Sequence, residues 1–359
     1  MKKSDGTTKK ELSARGFLAV FFGCVGFVLL ALMLTVIIID PFFQYHAPLP
    51  GFSYVIDNQL SQNPGLARNT SYDAVSLGSS VTTDYYVPWF EELFGLHVVK
   101  LPYNGAYPKD LSNAVEQVDR SGNDVKAFFI GVDITAYTAD INEIKYPLPT
   151  YLYDRNPFND VSYLFNKDVL TKYVAKPLVR KLLRKDADAP DPNDYYSNYM
   201  DLIYGEEHVW SVFHLADISE EHAPLNLFAE GFEKNWQTHF QPMIESHPNA
   251  TFYFYFPPRS ILFWYNTVRQ GNFEGYVYEE KLLVEKLLAY DNVEVHFLQN
   301  DAETILDLSH YTDETHFDRG ITRKVLEWIK DGTYRATPEN YETFLEEFKE
   351  LVVSYELPN

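Results

Sequence analysis

Apolar residues form one long unbroken stretch near the N-terminus. Gly16 to Ile39 are 24 consecutive uncharged residues, and a helix of that length crosses the hydrocarbon core of a bilayer, which is about 30 Å thick. Five basic and two acidic residues precede the stretch, and positive charge is retained on the cytoplasmic side of a membrane. We therefore expect residues 1–15 in the cytoplasm, an uncleaved transmembrane anchor at 16–39 and an extracytoplasmic domain at 41–359. The competing interpretation, a cleaved signal peptide, requires a shorter apolar run followed by a small-residue cleavage site.

Downstream of the anchor, short apolar runs alternate with stretches of helical periodicity. The runs are rich in β-branched and aromatic residues and predict five buried strands, at 73–77, 97–101, 125–132, 250–256 and 293–298. The periodic stretches predict a helix that begins at Pro108 and further helices near 229–246, 274–290, 319–331 and 337–354. This alternation is typical of a doubly wound, flavodoxin-like α/β fold, in which helices cover both faces of a parallel five-stranded sheet. Residues 140–228 interrupt it and predict a Tyr-rich insertion.

Composition and charge exclude several classes of protein. The chain of 359 residues carries 51 acidic and 30 basic side chains, for a net charge of −21, which would repel nucleic acid. Because residues 1–39 contribute +3, the extracytoplasmic part carries −24. Cys24 is the single cysteine and lies in the middle of the apolar stretch, so disulfide frameworks and Cys-rich metal sites are excluded.

Chemically useful residues follow several of the predicted strands. In doubly wound folds, functional residues collect at the carboxyl ends of the strands. Ser80 follows the first strand on a turn that begins at Gly78, and Asp313 precedes His316 by three residues after the fifth strand. A serine nucleophile needs a base, a carboxylate that orients the base, and donors for the oxyanion. The sequence therefore predicts a Ser80, His316 and Asp313 site.

These spaced blocks resemble the SGNH/GDSL hydrolase superfamily. Within it they are most similar to the membrane-anchored cell-envelope branch, that of the teichoic acid D-alanylation protein DltD and the alginate O-acetylation proteins. The resemblance covers about 73–133 and 250–330. It implies Ser80 as the nucleophile, with Ser79 as the fallback, and backbone N–H donors from Ser80 and Gly105 in the oxyanion hole. The third block of the family supplies an Asn donor, where this chain has Asp133.

The resemblance also implies a function and a set of partners. The expected protein is an extracytoplasmic serine esterase or O-acyltransferase that needs no cofactor. It would act on a cell-envelope polysaccharide or teichoic-type polymer through an acyl-serine intermediate, beside the lipid bilayer and with a multi-spanning membrane acyltransferase. One alternative is a non-catalytic binding or assembly partner, which an ionised Asp133 favours, because a carboxylate cannot donate to an oxyanion. A second is a metal-dependent hydrolase, with ligands among His310, Asp313, His316 and Asp318.

Three weaker features suggest contacts with ligands. Asn104, beside Gly105, is a candidate substrate-binding residue. Arg259 follows the fourth strand and is a candidate either for binding an anionic substrate group or for a structural ion pair. The segment 167–185 holds seven basic residues and is either a solvated helix face or a surface for anionic lipid or polymer. Tyrosines of the insertion are candidates for stacking on sugars, although such aromatics usually belong to the core: Tyr146, Tyr151, Tyr153, Tyr195, Tyr196 and Tyr199.

Overall fold

Five parallel strands form the centre of the computed structural model, which describes residues 13–183, 191 and 202–358. The strands are β1 (Ala74–Gly78), β2 (Val98–Pro102), β3 (Ala127–Gly131), β4 (Thr251–Tyr255) and β5 (Val293–His296). Their order in the sheet is β2-β1-β3-β4-β5, and each neighbouring pair is parallel. The predicted doubly wound α/β fold is confirmed, and the order reverses between β1 and β3, where such folds place their sites.

Aromatic side chains make up much of the sheet's packing. Every residue of β1, β2 and β3 is buried. The Phe128 ring stacks on Phe252 with centroids 4.7 Å apart, and on the other face Phe129 stacks on Tyr253 at 4.8 Å. Strands that are buried on both faces lose the apolar–polar alternation of half-exposed strands, which is why continuous apolar runs located them.

Fourteen helices are present in the described part of the chain. Their bounds are α1 (Ala14–Ile39), α2 (Gln59–Asn69), α3 (Pro88–Phe94), α4 (Pro108–Asp119), α5 (Val161–Leu164), α6 (Lys176–Leu182), α7 (Glu206–Val212), α8 (Leu225–Asn235), α9 (Gln241–Glu245), α10 (Ile261–Arg269), α11 (Phe273–Leu287), α12 (Ala302–Leu306), α13 (Arg319–Asp331) and α14 (Tyr341–Ser354). Periodicity located α4, α8, α9, α11, α13 and α14. It did not indicate α2 or α10, which the fold requires as well.

The helix α1 corresponds to the predicted anchor and is long and apolar enough to cross a membrane. Its C-terminal end is embedded in the domain, since Val36 and Ile39 are buried. The carboxylate of Asp40 accepts hydrogen bonds from the backbone N–H groups of Gln44, Tyr45 and His46. The Tyr163 hydroxyl also donates to it, at 2.8 Å. These contacts fix the direction in which the chain leaves the helix.

The insertion contains helices and loops, and no strand in its described residues. Within the insertion, the π-helical segment Val169–Ala175 runs directly into α6, and after the insertion the π-helical segment Trp236–Phe240 runs into α9. Both α6 and α9 have a proline in the first turn. Proline lacks an N–H and its ring crowds the preceding turn, so the helix widens instead of breaking. Arg184, Lys185, Tyr195, Tyr196 and Tyr199 lie outside the described residues.

Candidate active site

The turn after β1 places Ser80 at the carboxyl edge of the sheet. Gly78 has a φ of +154°, and a Cβ atom there would lie 2.3 Å from the Thr82 methyl group. A Cβ atom on Gly131 would lie 2.6 Å from the same methyl group. The Thr82 hydroxyl donates to the Ser79 carbonyl at 2.8 Å and closes a 3₁₀ turn at Ser80–Thr82. Because Gly78 and Gly131 lack a Cβ atom, the Thr82 side chain fits beside them, and its hydroxyl can close the turn.

Charged side chains hold the next residues of this loop. Lys100, fully buried in β2, donates from Nζ to the carbonyls of Thr83 at 2.8 Å and Tyr85 at 2.7 Å. Arg319, the first residue of α13, donates to the Asp84 carboxylate at 3.0 Å. The loop is therefore attached both to the sheet and to the helix that follows His316.

A second loop carries His316. An antiparallel bridge joins Tyr311 to Phe317, and the Thr312 N–H donates to the His316 carbonyl at 3.0 Å. The Tyr311 hydroxyl donates to the Pro258 carbonyl at 2.6 Å, and the Ser260 hydroxyl donates to the Glu314 carbonyl at 2.8 Å. The segment after β4 therefore fixes the position of the loop that carries His316.

The two loops bring three of the predicted residues together. The Ser80 Oγ lies 2.7 Å from the His316 Nε2, and the His316 Nδ1 lies 2.7 Å from the Asp313 Oδ2. The other carboxylate oxygen of Asp313 accepts the backbone N–H groups of Thr315 and His316 at 2.7 Å each. Burial raises the pKa of the Asp313 carboxyl, but the hydrogen bonds and charge of His316 outweigh it and hold that pKa below its usual value. This is the arrangement of nucleophile, base and orienting acid.

Ser79 occupies a different environment from Ser80. Its side chain is buried and lies beside Asp133, whose pKa it lowers, without a well-aligned hydrogen bond. The structure thus brings Ser80, and not Ser79, to the imidazole of His316.

The four candidate metal ligands separate into two pairs. His310 Nδ1 lies 2.8 Å from Asp318 Oδ2, while His316 is paired with Asp313. Among the described residues, no three His, Cys, Asp or Glu side chains converge as metal ligands would.

The resemblance implies two backbone N–H donors for an oxyanion, those of Ser80 and Gly105. Within the described residues, neither the N–H of Ser80 nor that of Gly105 donates a hydrogen bond. Gly105 has a φ of +65°, a conformation that glycine adopts without strain.

The neighbouring Asn104 is exposed, and Gln59 binds both its backbone N–H at 2.9 Å and its Oδ1 at 3.1 Å. These two hydrogen bonds occupy the backbone N–H and the amide oxygen of Asn104, while its Nδ2 has no hydrogen-bond partner in the part of the chain that the structure describes.

Asp133 does not supply the donor that the third block provides in the family. Its Oδ1 lies 2.7 Å from Nη2 of Arg259 and also accepts the Thr135 hydroxyl at 2.8 Å. Burial raises the pKa of the Asp133 carboxyl, but the charge and hydrogen bond of Arg259 outweigh it, so the pKa lies below its usual value. An ionised carboxylate only accepts hydrogen bonds. The prediction that Asp133 belongs to the oxyanion hole is therefore wrong, because its side chain has no donor to offer.

Arg259 is correspondingly placed in a structural ion pair. Its side chain is 5% exposed, and its guanidinium lies over the Phe263 ring at 4.5 Å. Of the two alternatives from the sequence, the structure shows the ion pair and leaves no guanidinium surface for a substrate anion.

Sequence reasoning missed the residues that support these loops. The role of Lys100 could have been predicted, because a lysine inside the apolar run HVVKL must find hydrogen-bond acceptors if the strand is buried. The sequence does not indicate the contacts of Gln59, Thr82 and Ser260, since their hydrogen-bond partners become neighbours only after the chain folds. Of the tyrosines, Tyr146 is exposed, while the Tyr153 hydroxyl donates to the Leu60 carbonyl within the fold.

Comparison with known proteins gives a limited result. No family model matches the chain, and no curated protein matches its sequence. Among solved structures, the chain is similar to a protein from Streptococcus pneumonia that is described as a platelet activating factor. The two share 14% sequence identity with a TM-score of 0.40, over 77% of this chain and 91% of the other.

Proposed function

We propose that this protein is a membrane-anchored serine esterase or O-acyltransferase that forms an acyl-Ser80 intermediate. The observation that carries the proposal is the pair of 2.7 Å contacts that link Ser80, His316 and Asp313. The resemblance to the envelope branch of the SGNH/GDSL superfamily supports a cell-envelope glycan or teichoic-type polymer as the second substrate. A multi-spanning membrane acyltransferase is the proposed partner, because the one apolar helix found among the described residues offers no route for exporting an acyl donor.

Acylation would begin with proton transfer from Ser80 to His316. As the Ser80 Oγ attacks the acyl carbon, its proton moves to the His316 Nε2, and the carbonyl electron pair moves onto the carbonyl oxygen. The N–H groups of Ser80 and Gly105 stabilise that oxyanion. Collapse expels the leaving oxygen of the donor, which takes the proton from His316. Asp313 holds the imidazole in one orientation and stabilises its positive charge throughout.

The second half of the reaction decides between transfer and hydrolysis. An acceptor hydroxyl, or water, gives its proton to His316 and attacks the acyl carbon. The Ser80 Oγ then leaves and recovers that proton. The same residues serve both outcomes, so the acceptor that reaches the acyl carbon determines which reaction occurs.

A non-catalytic binding protein is the second candidate. The ionised Asp133 favours it, because one of the family's oxyanion donors is replaced by an acceptor. A binding protein has no need of an activated serine, so the two candidates differ in the reactivity of Ser80.

The test is mass spectrometry of the full-length protein after reaction with a fluorophosphonate. We expect a single adduct on Ser80, its absence in Ser80→Ala, and labelling slowed by about 10²-fold or more in His316→Ala, because the serine then lacks its base. Ser79→Ala is the matched control and should label at the rate of the unaltered protein. Absence of any adduct on a folded protein would rule out the acyl-enzyme mechanism and favour the binding protein.

A further inference from the structure

A cavity of about 340 Å³ lies far from Ser80 and is lined by Arg68, Arg120 and Arg155. Its volume falls in the range of small-molecule sites, roughly 300–1,000 Å³. Arg68 and Arg120 lie at the C-terminal ends of α2 and α4. Both helices begin near the edge of the sheet that carries Ser80, so their C-terminal ends lie at the opposite edge. The cavity is therefore separate from the candidate active site.

The arginines of this cavity make few direct ion pairs. Among the described residues, Arg120 is the one of the three with a carboxylate within 4 Å, that of Glu116. Burial and the positive charges of Arg120 and Arg155 lower the pKa of Arg68, and the charges of Asp154 and Asp160 only partly oppose that shift. The buried Nε of Arg68 has no hydrogen-bond partner in the described structure. An N–H donor in that position is costly unless a ligand accepts from it.

Two aspartates also line the cavity, and their charges partly neutralise the arginines, since both raise the pKa of Arg68. Asp160 accepts the Tyr45 hydroxyl at 2.9 Å. Asp154 accepts the Asn156 N–H at 2.9 Å and the Asn159 Nδ2 at 2.7 Å. The cavity therefore brings three arginines together with two aspartates, in a domain whose net charge is strongly negative.

The cavity also lies next to the end of the apolar helix α1. Gln44 and Tyr45, which are fixed by the carboxylate of Asp40 just after α1, form part of its wall. Pro157 forms another part, and the next residue, Phe158, is 89% exposed. An exposed phenylalanine beside the end of a membrane-crossing helix fits contact with the bilayer interface.

We propose that Arg68, Arg120 and Arg155 form a phosphate-binding site that faces the membrane. Guanidinium groups bind phosphate oxygens through paired N–H donors. Arg68 and Arg120 give some of their N–H groups to backbone carbonyls, but each guanidinium has five such donors, and the remaining ones are those we assign to the phosphate. The phosphate belongs either to a lipid headgroup or to a soluble phosphate compound or polymer that reaches the same face. The site does not depend on the chemistry of Ser80.

Isothermal titration of the full-length protein in an uncharged detergent with inorganic phosphate tests the site, with acetate at equal ionic strength as the control anion. We expect saturable phosphate binding that Arg155→Gln weakens about tenfold or more, since charge-assisted hydrogen bonds are lost. Arg155 is exposed, so this variant should fold. Arg68→Gln should weaken binding further, and Arg323→Gln, an arginine on α13 paired with Glu92, is the matched control and should not change it.

Two outcomes would overturn the proposal: no saturable binding to the unaltered protein, or equal binding to Arg155→Gln. The source of the phosphate is resolved in lipid nanodiscs. If a lipid headgroup fills the site, phosphatidylglycerol nanodiscs should weaken the binding of added phosphate relative to phosphatidylcholine nanodiscs, and Arg155→Gln should abolish the difference. If the natural ligand is soluble, added phosphate should bind equally in both.

Discussion

The buried ion pair of Asp133 and Arg259 lies at the carboxyl ends of β3 and β4, and β3 is the neighbour of β1, the strand before Ser80. The pair gives Asp133 a structural role. Asp133 follows β3 and Arg259 follows β4, so the pair joins two neighbouring loops at the carboxyl edge of the sheet. Arg259 is followed by Ser260, which holds the loop of His316. Asp133, at the position where the resemblance implies an Asn donor, thus anchors the backbone that supports the candidate base.

Asp133→Asn is expected to destabilise the protein and not to improve its catalysis. The substitution restores an amide but leaves the Arg259 guanidinium buried without its counter-charge, which typically costs about 3–5 kcal/mol. Because the folded-state pKa of Asp133 is lowered, the pair stabilises the protein above the unfolded-state pKa, and that stability is lost as the pH falls through the folded-state pKa. Urea unfolding near neutral pH should therefore show a large loss for Asp133→Asn.

Glu92→Gln provides the control for this prediction. Glu92 forms an exposed ion pair with Arg323, and exposed pairs contribute about 0–1 kcal/mol. An equal, small loss in both variants would show that the Asp133 pair does not stabilise the fold. Faster fluorophosphonate labelling of Asp133→Asn would show instead that the missing amide limits the oxyanion hole.

The sequence was informative at this scale where chemistry is local. Asp313 and His316 share one short turn, and Ser80 directly follows a strand, so all three could be proposed as partners from spacing and strand order. The pairing of Asp133 with Arg259 could not be predicted, because it depends on β3 and β4 being neighbours with their ends in register. Spacing alone left Arg259 equally suited to substrate binding.

At the scale of elements, α2 connects the anchor to the sheet. It contains Pro64 and Gly65 and few apolar residues, so its sequence has neither the periodicity nor the propensity of a helix. It forms because its polar side chains bind neighbouring backbone: Gln62 donates to the Pro41 carbonyl at 3.1 Å and Asn63 to the Pro102 carbonyl at 2.7 Å. Tertiary hydrogen bonds of this kind are invisible to a pattern of hydrophobic positions.

Gly65→Ala should disrupt the contact between α2 and the segment after α1. A Cβ atom at residue 65 would lie 2.0 Å from the Phe42 carbonyl oxygen and 2.6 Å from that of Phe43. Alanine ordinarily favours a helix over glycine by about 0.5–1 kcal/mol, but overpacking against backbone costs about 1–3 kcal/mol. We therefore expect a net loss of unfolding free energy in the full-length protein.

The matched control is Gly320→Ala in α13. A Cβ atom there would meet only the side chain of Asp318, at 3.0 Å, so we expect a change of less than about 1 kcal/mol. If Gly65→Ala were as stable as Gly320→Ala in thermal or urea unfolding, the close packing of α2 on Phe42 and Phe43 would be refuted.

At the scale of the whole molecule, not all of the many acidic side chains lie on the surface, because two glutamates are fully buried. Glu279 and Glu280, adjacent on α11, are both 0% exposed. Burial raises the pKa of Glu280 to about 8, although Gln299, which donates to it at 2.8 Å, and the charge of Arg259 oppose the shift. Burial and the neighbouring Glu280 raise the pKa of Glu279 well above its usual value. Burial therefore favours the protonated, uncharged form of both carboxyls.

These two glutamates predict that the protein loses stability as the pH rises. Between the unfolded-state pKa of a glutamate and the folded-state value of about 8 for Glu280, the folded chain binds more protons than the unfolded chain, so its unfolding free energy falls with pH. One such group contributes a slope of up to about 1.4 kcal/mol per pH unit. Glu280→Gln keeps an acceptor for Gln299 but cannot ionise, so it should reduce this slope and be more stable than the unaltered protein at about pH 8 while differing little at about pH 4.

Urea unfolding at several pH values between about 5 and 8 measures this slope. Glu285→Gln supplies the control, since Glu285 lies on the same helix but is exposed beside Lys281. If Glu280→Gln and Glu285→Gln had the same pH dependence as the unaltered protein, Glu280 would have to be ionised in the folded state. Because the charge of Arg259 acts on Glu280, that result would also mean that Arg259 is shared between Glu280 and Asp133, and the loss expected for Asp133→Asn should then be correspondingly smaller.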